Sequence, residues 1–264
     1  MFITEQGMAT DNLQNAKTCI KEAFVLKQQE ANLKIAGLQN KAEKKHHDSR
    51  KKLWEAIEFS TEAIANNPKN AEAFFLIGKC YFYLEDYKKE LNFFRMSVKT
   101  NPTYGNNVFC FFKDRAKHAD TSENEFLDLC YILDGLTIYQ DKRAEYLPCC
   151  TTRLDKIIFE EPYSKRFEDV LFFYKRIFEI DETQKEVVAK KYYKYSQSVT
   201  EPRKKVFVWK LAGGFTNTYL EAIVTDLYDY AEPTYTEEEK KYISKFAHLF
   251  IKDVHKKVDS QLWP

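Results

Sequence analysis

A chain of 264 residues has room for one large or two small domains, and 44% apolar and 16% aromatic residues are enough for a buried core, which excludes disorder. Seven glycines and seven prolines are too few for the turns of a β-rich or α/β protein of this length, so the expected class is all-α. Forty-one Lys and Arg against 40 Asp and Glu leave a net charge of +1; no global field draws the chain to nucleic acid or an anionic membrane, and partner choice has to be local.

The opening MFITEQGMAT lacks the basic and apolar regions of a secretion signal, and no stretch approaches the roughly 18 apolar residues of a spanning helix. Met8-Ala9-Thr10 also makes a plausible start, so the first seven residues read as an extension. Cys19, Cys80, Cys110, Cys130, Cys149 and Cys150 show no C-x-x-C spacing and scatter through apolar stretches, which is the pattern of buried thiols in a reducing compartment. The expected location is intracellular, in the cytoplasm. The vicinal pair Cys149-Cys150 has no nearby histidine and is expected to be structural rather than a zinc or redox site.

Asp11-Asn12-Leu13-Gln14 has the shape of a capping box and opens a long helical run. Leu13, Ala16, Ile20, Phe24, Ala31, Ile35, Leu38 and Ala42 recur at helical spacing in a narrow stripe suited to packing along another helix, and Gly37 marks a candidate break. Lys41 to Lys52 carries six Lys or Arg against two acids and reads as a solvated helical face or a hinge, with contact to phosphate or an acidic partner as the alternative. A helix from Lys52 then presents Leu53, Trp54, Ala56, Ile57, Ala63 and Ile64 and closes at Pro68.

Features of that helix return 34 residues later: Ile57 at Leu91, Ile64 at Val98, Pro68 at Pro102. Between them Ala71 to Pro102 reads as two antiparallel helices with a tight turn. Phe74, Ile77, Gly78 and Tyr81 in the first helix, Phe94 in the second and Pro102 at the end resemble the tetratricopeptide pattern, whose period is 34 residues. In the preceding unit Ala56, Ala63 and Pro68 match the second helix only. Close packing explains the types: a small residue where helices cross lets the backbones approach, and large residues a turn away fill the flanks. Glu90 departs from the pattern at the small-residue position, and Ser60 replaces the aromatic. The resemblance covers Lys52 to Pro102 and implies a tetratricopeptide-like helical hairpin array, an α-α superhelix, preceded by a long N-terminal helix.

Beyond Pro102, Val108 to Lys117 is expected as a short Phe-rich helix. Ser122 to Glu125 forms a capping box before a helix carrying Phe126, Leu129, Cys130, Leu133 and Leu136. Tyr146 to Phe159 is expected to be interrupted at Pro148, with a helix from Thr152. Ser164 to Ile180 is strongly amphipathic through Phe167, Val170, Leu171, Tyr174, Ile177 and Phe178. Glu186 to Ser196 follows as a Tyr-rich helix broken at Pro202, and Lys204 to Leu211 runs to a stop at Gly213-Gly214. Thr218 to Tyr230 is a further helix. Thr236 to Glu239 caps a last one with Ile243, Phe246, Phe250, Val254 and Val258. The organisation expected is an N-terminal helical segment over 1–50, tetratricopeptide-like hairpins over 51–140 and an irregular helical array over 141–264 continuous with the hairpins.

No catalytic or metal constellation accompanies His46, His47, His118, His248 and His255, and Gly213-Gly214 lacks the lysine and spacing of a phosphate loop, so no enzyme activity, cofactor or metal is expected. In tetratricopeptide arrays the first helix of each pair lines the concave side. The corresponding face here is Glu72, Phe75, Lys79, Phe82 and Tyr83, which is either a groove for a protein or peptide partner or a surface covered by the N-terminal helix. The function expected is a protein-interaction scaffold, adaptor or structural subunit. The alternative is nucleic-acid association through Lys190, Lys191 and Lys194, interleaved with Tyr192, Tyr193 and Tyr195, together with Arg203 and Lys204. A helical enzyme or translocated bacterial effector is a third class.

Overall fold

The structure is a computed structural model that describes residues 5–117, 126–160, 167–219 and six isolated positions beyond them. Among the described residues it is all-helical, with ten α-helices packed in adjacent pairs. The chain divides into two compact units, Met1–Arg143 and Ala144–Pro264.

The first unit opens with α1 (Glu5–Ile35) and α2 (Gln39–Asn66), which fold back on each other along their length. Gly37 makes the turn: its φ is +72°, in the left-handed region that a side chain disfavours. Its amide donates to the Lys34 carbonyl and the Leu38 amide to the Leu33 carbonyl at 2.9 Å, the paired bonds that close a helix at a glycine. Small buried residues, Ala16 and Ala23 on α1 and Ala42 and Ala56 on α2, let the two backbones lie close. The basic stretch Lys41 to Lys52 is helical throughout rather than a hinge; with no Gly or Pro between Gln39 and Asn66, nothing stops α2. The partner of its second half is therefore α1, and residue 50 lies in mid-helix.

Next come α3 (Ala71–Tyr83) and α4 (Tyr87–Thr100). Asn70 caps α3 by accepting from the Ala73 amide, Asp86 caps α4 by accepting from the Lys89 amide, and Glu85 takes a φ of +65° in the turn between them. Gly78 is where the pair crosses: a Cβ there would stand 2.7 Å from the Phe94 ring. The Ser97 hydroxyl ties the far end by donating to the Ala71 carbonyl at 2.8 Å. Leu76, Ile77, Cys80 and Tyr81 on α3 close one core with Ala16, Ile20, Leu53 and Ile57.

α5 (Tyr104–Lys117) and α6 (Leu127–Ile138) form the third pair. The helix expected from Val108 starts a turn earlier, at Tyr104, and Gly105 lies buried under the Tyr139 ring, which leaves no room for a Cβ. Phe94, Val108 and Phe112 make a second buried cluster. The capping box expected at Ser122 to Glu125 lies outside the described residues.

In the second unit α7 (Arg143–Glu160, whose first residue closes the first unit) runs straight through Pro148, where a turn was expected. Leu147, Cys150, Leu154 and Ile158 form one buried stripe across the proline, and keeping it intact outweighs the one backbone bond that Pro148 forfeits. α8 (Phe167–Ile180) buries Val170, Tyr174 and Ile177 as expected, with Leu171 and Phe178 half-buried. α9 (Gln184–Ser198) and α10 (Pro202–Phe215) follow, with Pro202 at the first turn of α10, where its missing N–H costs nothing. α10 does not stop at Gly213-Gly214: its last turn continues to Phe215, whose ring packs on Phe178, Tyr174 and Tyr192 at 5.1, 5.4 and 5.8 Å. A single 3₁₀ turn spans Asn217–Tyr219. The helices expected over 218–230 and after Glu239 fall almost wholly outside the described residues. No helix among the described residues is long and apolar enough to cross a membrane.

Candidate partner-binding face

The five residues singled out on α3 are all half-buried, and four of them converge. Phe75 packs against Phe94, Tyr104 and Phe111 with ring centroids at 5.6, 6.0 and 6.5 Å. Phe82 meets Phe111 edge-on at 5.1 Å and Tyr131 of α6 at 5.8 Å. Lys79 projects between them, its Nζ 5.7 Å from the Phe75 centroid and 5.9 Å from that of Phe111. Tyr83 lies against Phe24 of α1 at 6.4 Å, and its hydroxyl accepts from Arg115 of α5. Glu72 points elsewhere, pairing with Lys17 of α1 at 2.7 Å.

The alternatives posed for this face, open groove or cover by the N-terminal helix, are thus divided between its ends. α1 reaches Glu72 and Tyr83, whereas α5 and α6 wall the Phe75, Lys79 and Phe82 portion. The residues that complete the patch come from three other helices. Phe24, 41% exposed, and Lys27 come from α1, Phe111 and Arg115 from α5, and Tyr131 from α6. The guanidinium carbon of Arg115 lies 4.9, 5.2 and 5.4 Å from the Tyr83, Phe82 and Phe111 centroids, so one cation serves three rings. Nothing local in the sequence marks Arg115 or Lys27 for this place, since they lie 36 and 52 residues from Lys79 in opposite directions.

Burial sets the electrostatics. It pushes the Lys79 ammonium below its usual range, and the charge of Arg115 pushes the same way. Lys27 is lowered chiefly by burial while Glu85 and Glu30 oppose the shift, and its Nζ donates to the Tyr83 carbonyl at 2.8 Å. The Tyr83 and Tyr131 hydroxyls are pushed up by burial and stay neutral. Below the patch, Glu90 is 3% exposed and its Oε1 has no hydrogen-bond partner. Burial, then the neighbouring Asp134, raises its carboxyl to about 8, and Tyr87 donates to Asp134 at 2.6 Å.

The Lys- and Tyr-rich segment of the second unit is arranged differently. Tyr192 is fully buried, with its hydroxyl 3.0 Å from that of Tyr174. Tyr195 stacks on Phe159 at 4.0 Å, and Tyr193 stacks on Tyr219 at 5.1 Å. Lys191 pairs with the buried Asp155, which also accepts from Tyr174. Lys204 donates to the Phe159 carbonyl at 2.7 Å, Lys190 and Lys194 are exposed, and the Arg203 side chain lies outside the described residues. All three tyrosines are thus engaged by aromatic neighbours of their own unit. Beside them an open cleft of about 800 Å³ is lined by Cys149, Arg153, Asp155, Lys156, Phe159 and Lys191. Its carboxylate is already satisfied by Lys191 and Tyr174. Among the described residues no group of His, Cys, Asp and Glu is placed to hold a metal.

No family model, curated protein or solved structure matches the chain.

Proposed function

We propose that this chain is a non-enzymatic protein-interaction scaffold or adaptor, or a structural subunit of a larger assembly, built around the tetratricopeptide-like hairpin α3–α4. The observation that carries the reading is the patch of half-buried aromatic rings and cations on α3, flanked by Phe24, Lys27, Phe111 and Arg115. Large aromatics and arginine are the types that dominate binding energy at protein interfaces. The hairpin resemblance is supported by the Gly78–Phe94 crossing and by caps at the start of both helices.

A photo-crosslinking amino acid in place of Phe24, with Lys88 of α4 as an exposed control position, tests the reading in the native cell. Discrete protein adducts at position 24 and none at 88 are expected. Equal or absent adducts at the two positions remove it.

A further inference from the structure

We infer that the tip of the α1–α2 hairpin docks on an anionic lipid surface, with Ile35 and Leu38 entering the headgroup layer and Lys34, Lys41, Lys44 and Lys45 meeting the lipid phosphates and carboxylates. The site lies apart from the patch on α3 and holds whether or not that patch binds a protein. Lys27 is the last residue of α1 that bonds to α3, through the Tyr83 carbonyl. Beyond it, among the described residues, the side-chain bonds stay within the hairpin: Glu30 holds His46 at 3.2 Å and Lys34 at 2.6 Å. At about 1.5 Å per residue, Ile35 stands about 12 Å past Lys27, so the hairpin ends in a projecting tip. Every residue from Lys34 to Lys41 is exposed.

That tip is apolar at its apex and basic behind it. Ile35 is 87% exposed, the most of any large hydrophobic side chain among the described residues, and Leu38 is 43% exposed. Leu38 also occupies the N-cap of α2, where Ser, Thr, Asp or Asn would accept from a first-turn amide, and those amides have no side-chain cap. A polar cap is forgone where the apolar side chain gains little from the fold itself, and a headgroup phosphate supplies the acceptor that the leucine lacks. From Ala31 to His47 four lysines stand against one acid, Glu43. Lys34, Lys41 and Lys44 are exposed and Lys45 is half-buried, so their stems can lie along the apex while the ammonium groups reach the headgroups. The lysines supply attraction to an anionic surface, and the apolar pair adds burial that salt does not screen.

A lipid surface is favoured over the other partners that a basic tip attracts. Between Ala31 and Ser49 there is no Phe, Tyr, Trp or Arg, so bases find no stacking platform and the usual anchors of a protein interface are missing. The end of a two-helix hairpin offers no groove to a peptide, and a second copy would bring two like-charged tips together.

The test is sedimentation of the full chain with phosphatidylcholine vesicles that contain about a third phosphatidylserine, and with vesicles of phosphatidylcholine alone. Binding to the mixed vesicles is expected to be about tenfold tighter. Ile35→Gln with Leu38→Ser, and separately Lys41→Gln with Lys44→Gln, are each expected to weaken it about tenfold with helical circular dichroism unchanged. Lys88→Gln with Lys99→Gln removes the same charge from exposed positions of α4 and is expected to leave binding as it was. Leu38→Ser supplies the missing cap, so α2 keeps its start and a loss of binding does not come from unfolding. Should the tip lysine variant fail to fold, the apolar variant alone decides. No sedimentation with the mixed vesicles, equal sedimentation with both kinds, sedimentation that survives either folded tip variant, or a loss matched by the Lys88 and Lys99 control overturns the inference.

Discussion

Glu90 shows how one residue can work against its surroundings. The repeat pattern wants a small side chain at that position, and the carboxyl placed there is buried, lacks a partner at Oε1 and lies near a second acid. Its pKa rises from 4.5 in the unfolded chain to about 8 in the fold, so between those values the native state holds a proton that the unfolded state has released. Stability therefore falls as pH rises through this window and levels off above it, by an amount on the order of a few kcal/mol. Urea unfolding at pH 5 and pH 8.5 is expected to show this loss, and Glu90→Gln is expected to flatten it and to be the more stable protein at pH 8.5. An unchanged slope in the variant would assign the pH dependence to another group. The cysteines offer a second check at this scale. Cys110 and Cys149 are exposed, whereas Cys80 is buried with its thiol pushed up to about 12, chiefly by burial. A native-state thiol titration is expected to label Cys110 and Cys149 first and to leave Cys80 silent until unfolding.

Among the elements, the α3–α4 hairpin was the most legible, because its pattern is local: a glycine at the crossing and aromatics at fixed offsets lie within 32 residues. Gly78→Ala is expected to destabilise the protein by about 1–3 kcal/mol, since the new methyl meets the Phe94 ring at 2.7 Å. Phe94→Leu in the same chain should return part of that loss, and a double-mutant cycle measures the coupling; additive effects would mean that the two do not touch. The break at Gly37 was legible for the same reason. Pro148 and Gly213-Gly214 were misread because proline and glycine are local breakers, whereas the stripe from Leu147 to Ile158 and the Phe215 cluster that carry the helices through them are tertiary. The basic stretch in α2 was read as a helical face or a hinge, and it is the helical face that the structure shows. The stretch lacks any breaker, and Ser49 and His46 within it bond to Ala23 and Glu30 of α1.

At the scale of the whole molecule the chain divides into two units, each with its own buried set of large side chains: Leu53, Ile77, Phe94 and Phe112 in one, Leu154, Tyr174, Tyr192 and Trp209 in the other. Substitutions deep in different cores have no shared partners. Tyr174→Phe removes a hydroxyl that donates to the buried Asp155 and is expected to cost about 1–2 kcal/mol. Combined with Gly78→Ala it is expected to add to within about 0.5 kcal/mol in denaturant unfolding, and a larger interaction energy would show that the two sites are energetically coupled.

Composition and periodicity by themselves determined the helical class, most helix positions and the tight hairpin, because each depends on residues within a few turns of one another. They also singled out Glu72, Phe75, Lys79, Phe82 and Tyr83 as a second face of α3, of which Glu72 turns to Lys17 instead. Only the tertiary structure decided what that face meets. Lys27, Arg115 and Tyr131 reach it from α1, α5 and α6 through helix packing that no local spacing encodes. The same packing placed Tyr192 in the core and tied Lys191 to Asp155, while Lys190 and Lys194 stay exposed.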